Sequence, residues 1–323
     1  MNQGLLSSGW SRLIHNKRYL FWFWLLNLTL AEFGTAAFRR SAHAILDHSL
    51  YADRLITGFD VGVFGEMLAK PDFGPMTSVT VPAMYFGFVF FLATALFMPG
   101  IFAGYASTYR LQRDEFFRAC GRNLWRFIRI VIVAGIVMGI IGGLLFWANG
   151  AIAGKAGEST NEKLPFELRM IGFAIIFLVM TTLRIWFDLA EVETVLNDQR
   201  AVRKSIGLAF RHTFRSLGRL LTSYVVTTIV AAIFLAGGLW IWMRFVSPQN
   251  VFGAFVIAQI TLFLLLIPRF WQRGVAVSYW QQRMLVPITL RPEIEAAPAP
   301  VAAPVVAEPA PVVSGPPTDV QPS

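Results

Sequence analysis

Long apolar runs alternate with short polar segments rich in arginine along this chain. Six runs approach or exceed the length of about 20 residues that a helix needs to cross a hydrocarbon core of about 30 Å. They cover residues 19–37, 80–105, 127–149, 166–187, 220–243 and 251–273. Hydrocarbon offers no partner for a free backbone N–H or C=O, so each run predicts a helix and not an open strand. The first opens on Tyr19, Phe21, Trp22, Phe23 and Trp24, an aromatic cluster of the kind that settles at a headgroup boundary. It exceeds a signal-peptide apolar region in length and reads as an anchor that is retained. Pro82 opens the second run and Pro99-Gly100 disturbs it. The predicted fold is all-α: a polytopic transmembrane bundle of about six spans.

The pattern stops near residue 287. Ten of the 17 prolines fall in the last 37 residues, among Ala and Val. Each proline removes a backbone donor and blocks a helix, so 287–323 reads as a disordered, partly polyproline-like tail. This divides the chain into a transmembrane domain, 1–286, and a tail that is either solvated without a fixed partner or a docking segment for an unknown protein partner.

Composition agrees with the pattern. The 323 residues are 55% hydrophobic and 15% charged, with 29 Phe and 10 Trp. A soluble domain carries about 25% charged residues. A single cysteine, Cys120, excludes a disulfide framework. The net charge of +9 points to an anionic leaflet and not to nucleic acid once the spans are assigned. With the N-terminus inside, 20 of the 28 Lys and Arg fall on inner segments and 8 on outer ones. That asymmetry predicts that both termini are cytoplasmic.

Two inner connections share the pattern Phe-Arg-x3-Arg-x-Leu-x-Arg, 93 residues apart. The first carries Phe117, Arg118, Arg122, Leu124 and Arg126; the second carries Phe210, Arg211, Arg215, Leu217 and Arg219. On a helix, Arg118, Arg122 and Arg126 form one stripe, extended by Arg129, and Arg211, Arg215 and Arg219 form another. Each segment reads as a basic amphipathic helix that lies in the headgroup plane, binds anionic lipid and then turns into the next span. Two duplicated span–helix–span units follow from this, with chance convergence under the positive-inside rule as the other source of the pattern.

Gly135, Gly139 and Gly143 repeat at four-residue spacing in the third span, which predicts close helix packing within the bundle or between protomers. Arg184 and Asp188 are spaced for an ion pair at the inner end of the fourth span, with Glu191 beyond, either structural or lining a polar cavity. Asn27, Thr29 and Glu32 read as polar glue between helices. His43 and Asp47, with His48 and Asp53 nearby, read as an amphipathic surface helix and not as a metal site. No Walker glycine loop, H-E-x-x-H, G-x-S-x-G or dinucleotide fingerprint occurs. The expectation is therefore a protein without enzymatic activity, cofactor or metal.

Three stretches resemble an uncharacterised bacterial family of six-span integral membrane proteins. One is 18–27 with the Asp-His-Ser-Leu-Tyr-Ala-Asp-Arg run at 47–54 and Gly58-Phe59-Asp60. Another is 114–130, ending in Leu124-Trp125-Arg126-Phe127-Ile128-Arg129. The third runs from Asp188-Leu189-Ala190-Glu191-Val192 through Asp198-Gln199-Arg200 to Arg219-Leu220. The resemblance implies the six-span topology and a bacterial inner membrane, and carries no activity. Two functions remain open at this level. One is a bundle whose basic inner helices bind anionic lipid while it scaffolds or regulates a partner. The other is a transporter or permease component built from the duplicated units.

Overall fold

A computed structural model describes residues 4–46, 77–107, 109–157, 163–247 and 250–284, with positions 62, 65 and 69. Among these the ordered elements are all helical. They are α1 (Leu5–His15), α2 (Lys17–Leu46), α3 (Thr77–Ala106), α4 (Arg113–Ala156), α5 (Leu164–Leu196), α6 (Val202–Arg215), α7 (Leu217–Phe245) and α8 (Val251–Tyr279). A single π-turn, Trp280–Met284, closes α8. The tail expected at 287–323, and Asp47, His48 and Asp53, lie outside the described residues.

Each predicted span is a helix, but the ends differ. Helix α3 runs through both Pro82 and Pro99 without stopping. Helix α8 runs through Pro268 and continues past residue 273 to Tyr279. The extra turns persist because they are buried: Val275, Ala276, Val277 and Tyr279 are at most 2% exposed. Five helices are long and apolar enough to cross a membrane: α3, α4, α5, α7 and α8. The sixth expected span, α2, is a helix of 30 residues that falls short on composition. Two of its polar residues, Thr29 and Glu32, bond within their own helix and not across helices. Thr29 donates to the Leu25 carbonyl of its own helix at 2.8 Å, and Glu32 pairs with Arg39 of the same helix at 3.6 Å.

Helices that alternate in direction bring the same end of every span together, and the core sits at that end. Tyr19, Leu20 and Phe23 from the start of α2 are buried there, with Met98, Ile101, Phe102 and Tyr105 from the end of α3. Phe127 and Ile130 of α4, Ile185 to Val195 of α5, Leu220 and Tyr224 of α7, Phe270 to Tyr279 of α8 and Trp280 of the π-turn complete it. Toward the other end the helices expose large apolar side chains. Ile136, Ile140, Leu144 and Trp147 of α4 are 57–74% exposed, and Ile229, Ile233 and Leu235 of α7 are 52–62% exposed. Water would not tolerate that much contiguous apolar surface. Lipid does, and the chain is a multi-pass integral membrane protein.

The two arginine-bearing segments adopt different structures. The first is not a separate helix in the headgroup plane: it is the opening of α4, which continues unbroken for 44 residues. At about 1.5 Å per residue that is roughly 66 Å, so the basic turns project beyond the hydrocarbon. Asp114 and Glu115 favour its N-terminus, and Glu115 Oε2 accepts from the Gln112 N–H at 3.1 Å. The second segment breaks at Ser216 into α6 and α7. Only this one matches the expected separate amphipathic helix.

The glycine stripe is also placed differently. A methyl group at Gly135, Gly139 or Gly143 would meet nothing within 4 Å among the described residues. The stripe does not seat a neighbouring helix of the chain. Of the α4 glycines, Gly142 is the one that faces α5: a methyl group there would lie 3.4 Å from Met180. Backbone meets backbone elsewhere, between Gly9 of α1 and Gly274 of α8. A methyl group at Gly274 would lie 2.6 Å from the Gly9 carbonyl oxygen, and one at Gly9 would lie 2.8 Å from the Val275 backbone nitrogen.

Candidate functional site

The packed end contains an unusual number of buried polar side chains, and they tie the helices together. Asp188 of α5 accepts from Tyr224 Oη of α7 at 2.8 Å. The expected partner, Arg184, is present but more distant, with Nε 3.9 Å from the same carboxylate oxygen. Glu191, one turn on, lies in the field of Asp188, Arg273 and Arg184. Glu193 is 2% exposed and accepts from Trp280 Nε1 at 2.5 Å and from Asn197 Nδ2 at 2.8 Å. Gln272 of α8 donates to Thr227 and Thr228 of α7 at 3.0 and 3.2 Å. In an apolar surrounding such bonds join helices, each worth about 1 kcal/mol.

Two arginines assigned by sequence to orientation alone are structural. Arg273 is 9% exposed, contacts the Met98 sulfur and lies over the Phe102 ring at 5.9 Å. Arg12 donates from Nε to Ser278 Oγ at 2.9 Å, and its other nitrogens reach the Tyr105 carbonyl and Gln281 Oε1. It thereby joins α1 to the last turns of α3 and α8. The sequence reading assigned no helix before Tyr19. The available signals were Leu5, Gly9 and Leu13 at four-residue spacing, the face that α1 buries.

Around this packed end runs a basic rim containing the predicted lipid-binding residues. Arg118, Arg122 and Arg129 are exposed on α4, and Arg126 is partly covered. Arg129 lies 5.5 Å from the Trp125 ring centroid. Arg122 and Arg126 are not free: Arg126 Nη1 donates to Asp198 Oδ1 at 2.6 Å, and Arg122 Nε lies 3.8 Å from the same oxygen. Asp198 occupies the turn after α5 at φ 48°, the one non-glycine residue with positive φ among those described. The hydrogen bond from Arg126, with the charges of Arg122, Arg126 and Arg200, holds its carboxyl below the usual carboxylate value. A depressed value means that the contact is intact at neutral pH and is lost only as the pH falls through that lowered value.

Helix α6 forms the other part of the rim. It buries only small side chains, Ser205, Ala209 and Thr213, against the core. Trp186 of α5 holds it by donating to the Ile206 carbonyl at 2.9 Å. Outward it presents Leu208, Phe210 and Phe214, 39–51% exposed, beside Arg211 and Arg215; Arg219 follows on α7. His212 is driven below its ordinary pKa, first by burial and then by Arg215 and Arg211. Among the described residues no group of three metal-ligating side chains occurs.

No family model, curated protein or solved structure matches this chain. Chemically, the polar core holds the helices in register and the rim offers guanidinium groups interleaved with aromatic rings. Sequence reasoning identified the rim arginines from their spacing. It missed Tyr224, Glu193, Trp280 and Asp198, because each acquires its role from a partner 36 to 87 residues away.

Proposed function

We propose that this protein is a non-enzymatic inner-membrane protein of a bacterial cell whose basic end grips the anionic headgroups of the cytoplasmic leaflet, and that it scaffolds or regulates a partner there. The observation that carries the reading is α6. Its buried face is made of small residues, and its outward face mixes large apolar rings with arginines. A helix that turns Phe210 and Phe214 outward beside Arg211 and Arg215 matches a bilayer interface, where rings enter the acyl boundary and cations meet phosphate. Each such cation contributes about 1 kcal/mol near an anionic surface.

The test is lipid retention. Arg211→Gln with Arg215→Gln is expected to lower the phosphatidylglycerol and cardiolipin that stay with the purified protein by about tenfold or more, two cations' worth. Phosphatidylcholine retention should not change. Unaltered retention of the anionic lipids would remove this reading. The orientation is tested separately: reporters fused at each terminus should both report the cytoplasm, and a periplasmic signal from either end would refute the both-inside topology.

A further inference from the structure

Asp198 faces two guanidinium groups, and a third arginine, Arg200, follows it by two residues in the chain. Arg122 and Arg126 approach its Oδ1, and the charge of Arg200 acts on it as well. One carboxylate neutralises one of those charges and leaves the place cationic. The contact is open to solvent on the Asp198 and Arg122 side, at 50% and 59% of their side chains, while Arg126, 20% exposed, makes the short bond; ion pairs with that much exposure contribute little. Carboxylate and phosphodiester offer guanidinium the same pair of anionic oxygens. The place also lies where α4 changes from basic to apolar, since Phe127 begins the span and Trp125, 64% exposed, stands beside it. Tryptophan there marks headgroup depth.

We propose that Arg122, Arg126 and Arg200 form a discrete receptor for the phosphodiester of an anionic lipid, and that Asp198 is its internal stand-in, occupying the receptor until a lipid displaces it. The proposal rests on the reading that this end faces an anionic leaflet. It adds a defined site and a built-in competitor, distinct from the face of α6. With Asp198 on the arginines, the α5–α6 turn is clasped to α4. With lipid there, the turn is released from α4 and the arginines hold the bilayer.

The experiment uses the full chain in detergent, titrated in mixed micelles with phosphatidylglycerol, with phosphatidylcholine, and with inorganic phosphate alone. Asp198→Asn keeps the shape and suits the left-handed backbone, since asparagine adopts it readily. It is expected to bind phosphatidylglycerol about fivefold more tightly than the natural chain, the effect of one unit of charge near such a surface. Arg122→Gln with Arg126→Gln should weaken binding and abolish the gain from Asp198→Asn. Arg200→Gln should weaken binding even if the Asp198 variant does not fold. Phosphatidylglycerol binding by Asp198→Asn that is unchanged or weaker would overturn the competitor role, and inorganic phosphate binding as well as the lipid would overturn the assignment of the receptor to a lipid. The α6 variants separate the two readings. If they lose lipid while Asp198→Asn gains none, only this inference fails; if neither set responds, the reading beneath it fails.

Discussion

Gly274→Val is expected to be the most damaging single substitution of a small residue in this protein. The helix-facing side of Gly274 is filled by the Gly9 carbonyl oxygen, 2.6 Å from where a Cβ would lie. The obstruction is backbone, and backbone cannot rotate away as a side-chain tip can. Either α1 lifts from α8 or both helices bend. Overpacking costs about 1–3 kcal/mol and occasionally more, and this site belongs at or above the top of that range. Lifting α1 also strains Arg12 and its bonds to Ser278, Gln281 and the Tyr105 carbonyl. It separates Trp10 from Trp271, whose rings lie 5.0 Å apart, and breaks the bond from Trp271 Nε1 to the Leu6 carbonyl. Thermal melts in detergent should show a drop of many degrees. Gly139→Leu is the control, because nothing lies within 4 Å of a Cβ there among the described residues. Its melt should stay near that of the natural chain. A Gly274→Val melt no lower than the Gly139→Leu melt would show that α1 does not dock through this contact.

Trp280→Phe is expected to destabilise the bundle by about 2–3 kcal/mol, from a lost hydrogen bond together with the smaller ring. Its indole N–H is one of two donors to Glu193, a carboxylate that is 2% exposed. Phenylalanine leaves that carboxylate with the Asn197 amide alone. Stranding a buried acceptor costs about 1–3 kcal/mol, and more when the group is charged. The double variant Trp280→Phe with Glu193→Leu should recover part of the loss, because an apolar pair needs no donor. Equal melts for Trp280→Phe and the double variant would mean that the indole contributes by packing alone and that the hydrogen bond is of no consequence.

These two sites show where the polar core gets its purpose. In lipid, apolar surface gives helices no reason to associate, so close packing and interhelical hydrogen bonds must hold them. The protein concentrates both at one end. Backbone contact joins α1 to α8 at Gly9 and Gly274. Donor–acceptor pairs join α5 to α7 through Asp188 and Tyr224, and α5 to the π-turn through Glu193 and Trp280. The far halves of the helices expose their side chains to lipid and carry few such bonds. A packed end of this kind gives α6 and the start of α4 a firm base, which the proposed grip on lipid would require.

What the sequence determined by itself was the class and its geometry along one axis. Run lengths near 20 apolar residues dictate membrane helices, because a bilayer's thickness and its lack of hydrogen-bond partners leave no other solution. Arginine spacing likewise dictated which side chains share a face, since helical periodicity is local. Tertiary structure alone decided which faces meet. Gly135, Gly139 and Gly143 have the spacing of a packing motif but meet nothing within 4 Å among the described residues of the chain, while Gly9 and Gly274, 265 residues apart, touch. Nothing in a local pattern distinguishes a glycine facing lipid from one facing a backbone. The same holds for charge. Arg12, Arg273 and Arg122 look alike in sequence as inner-leaflet cations. The fold sends the first to the helix ends, buries the second in the core and pairs the third with Asp198, because the energy of a charge depends on the groups and dielectric around it, and distant parts of the chain supply both.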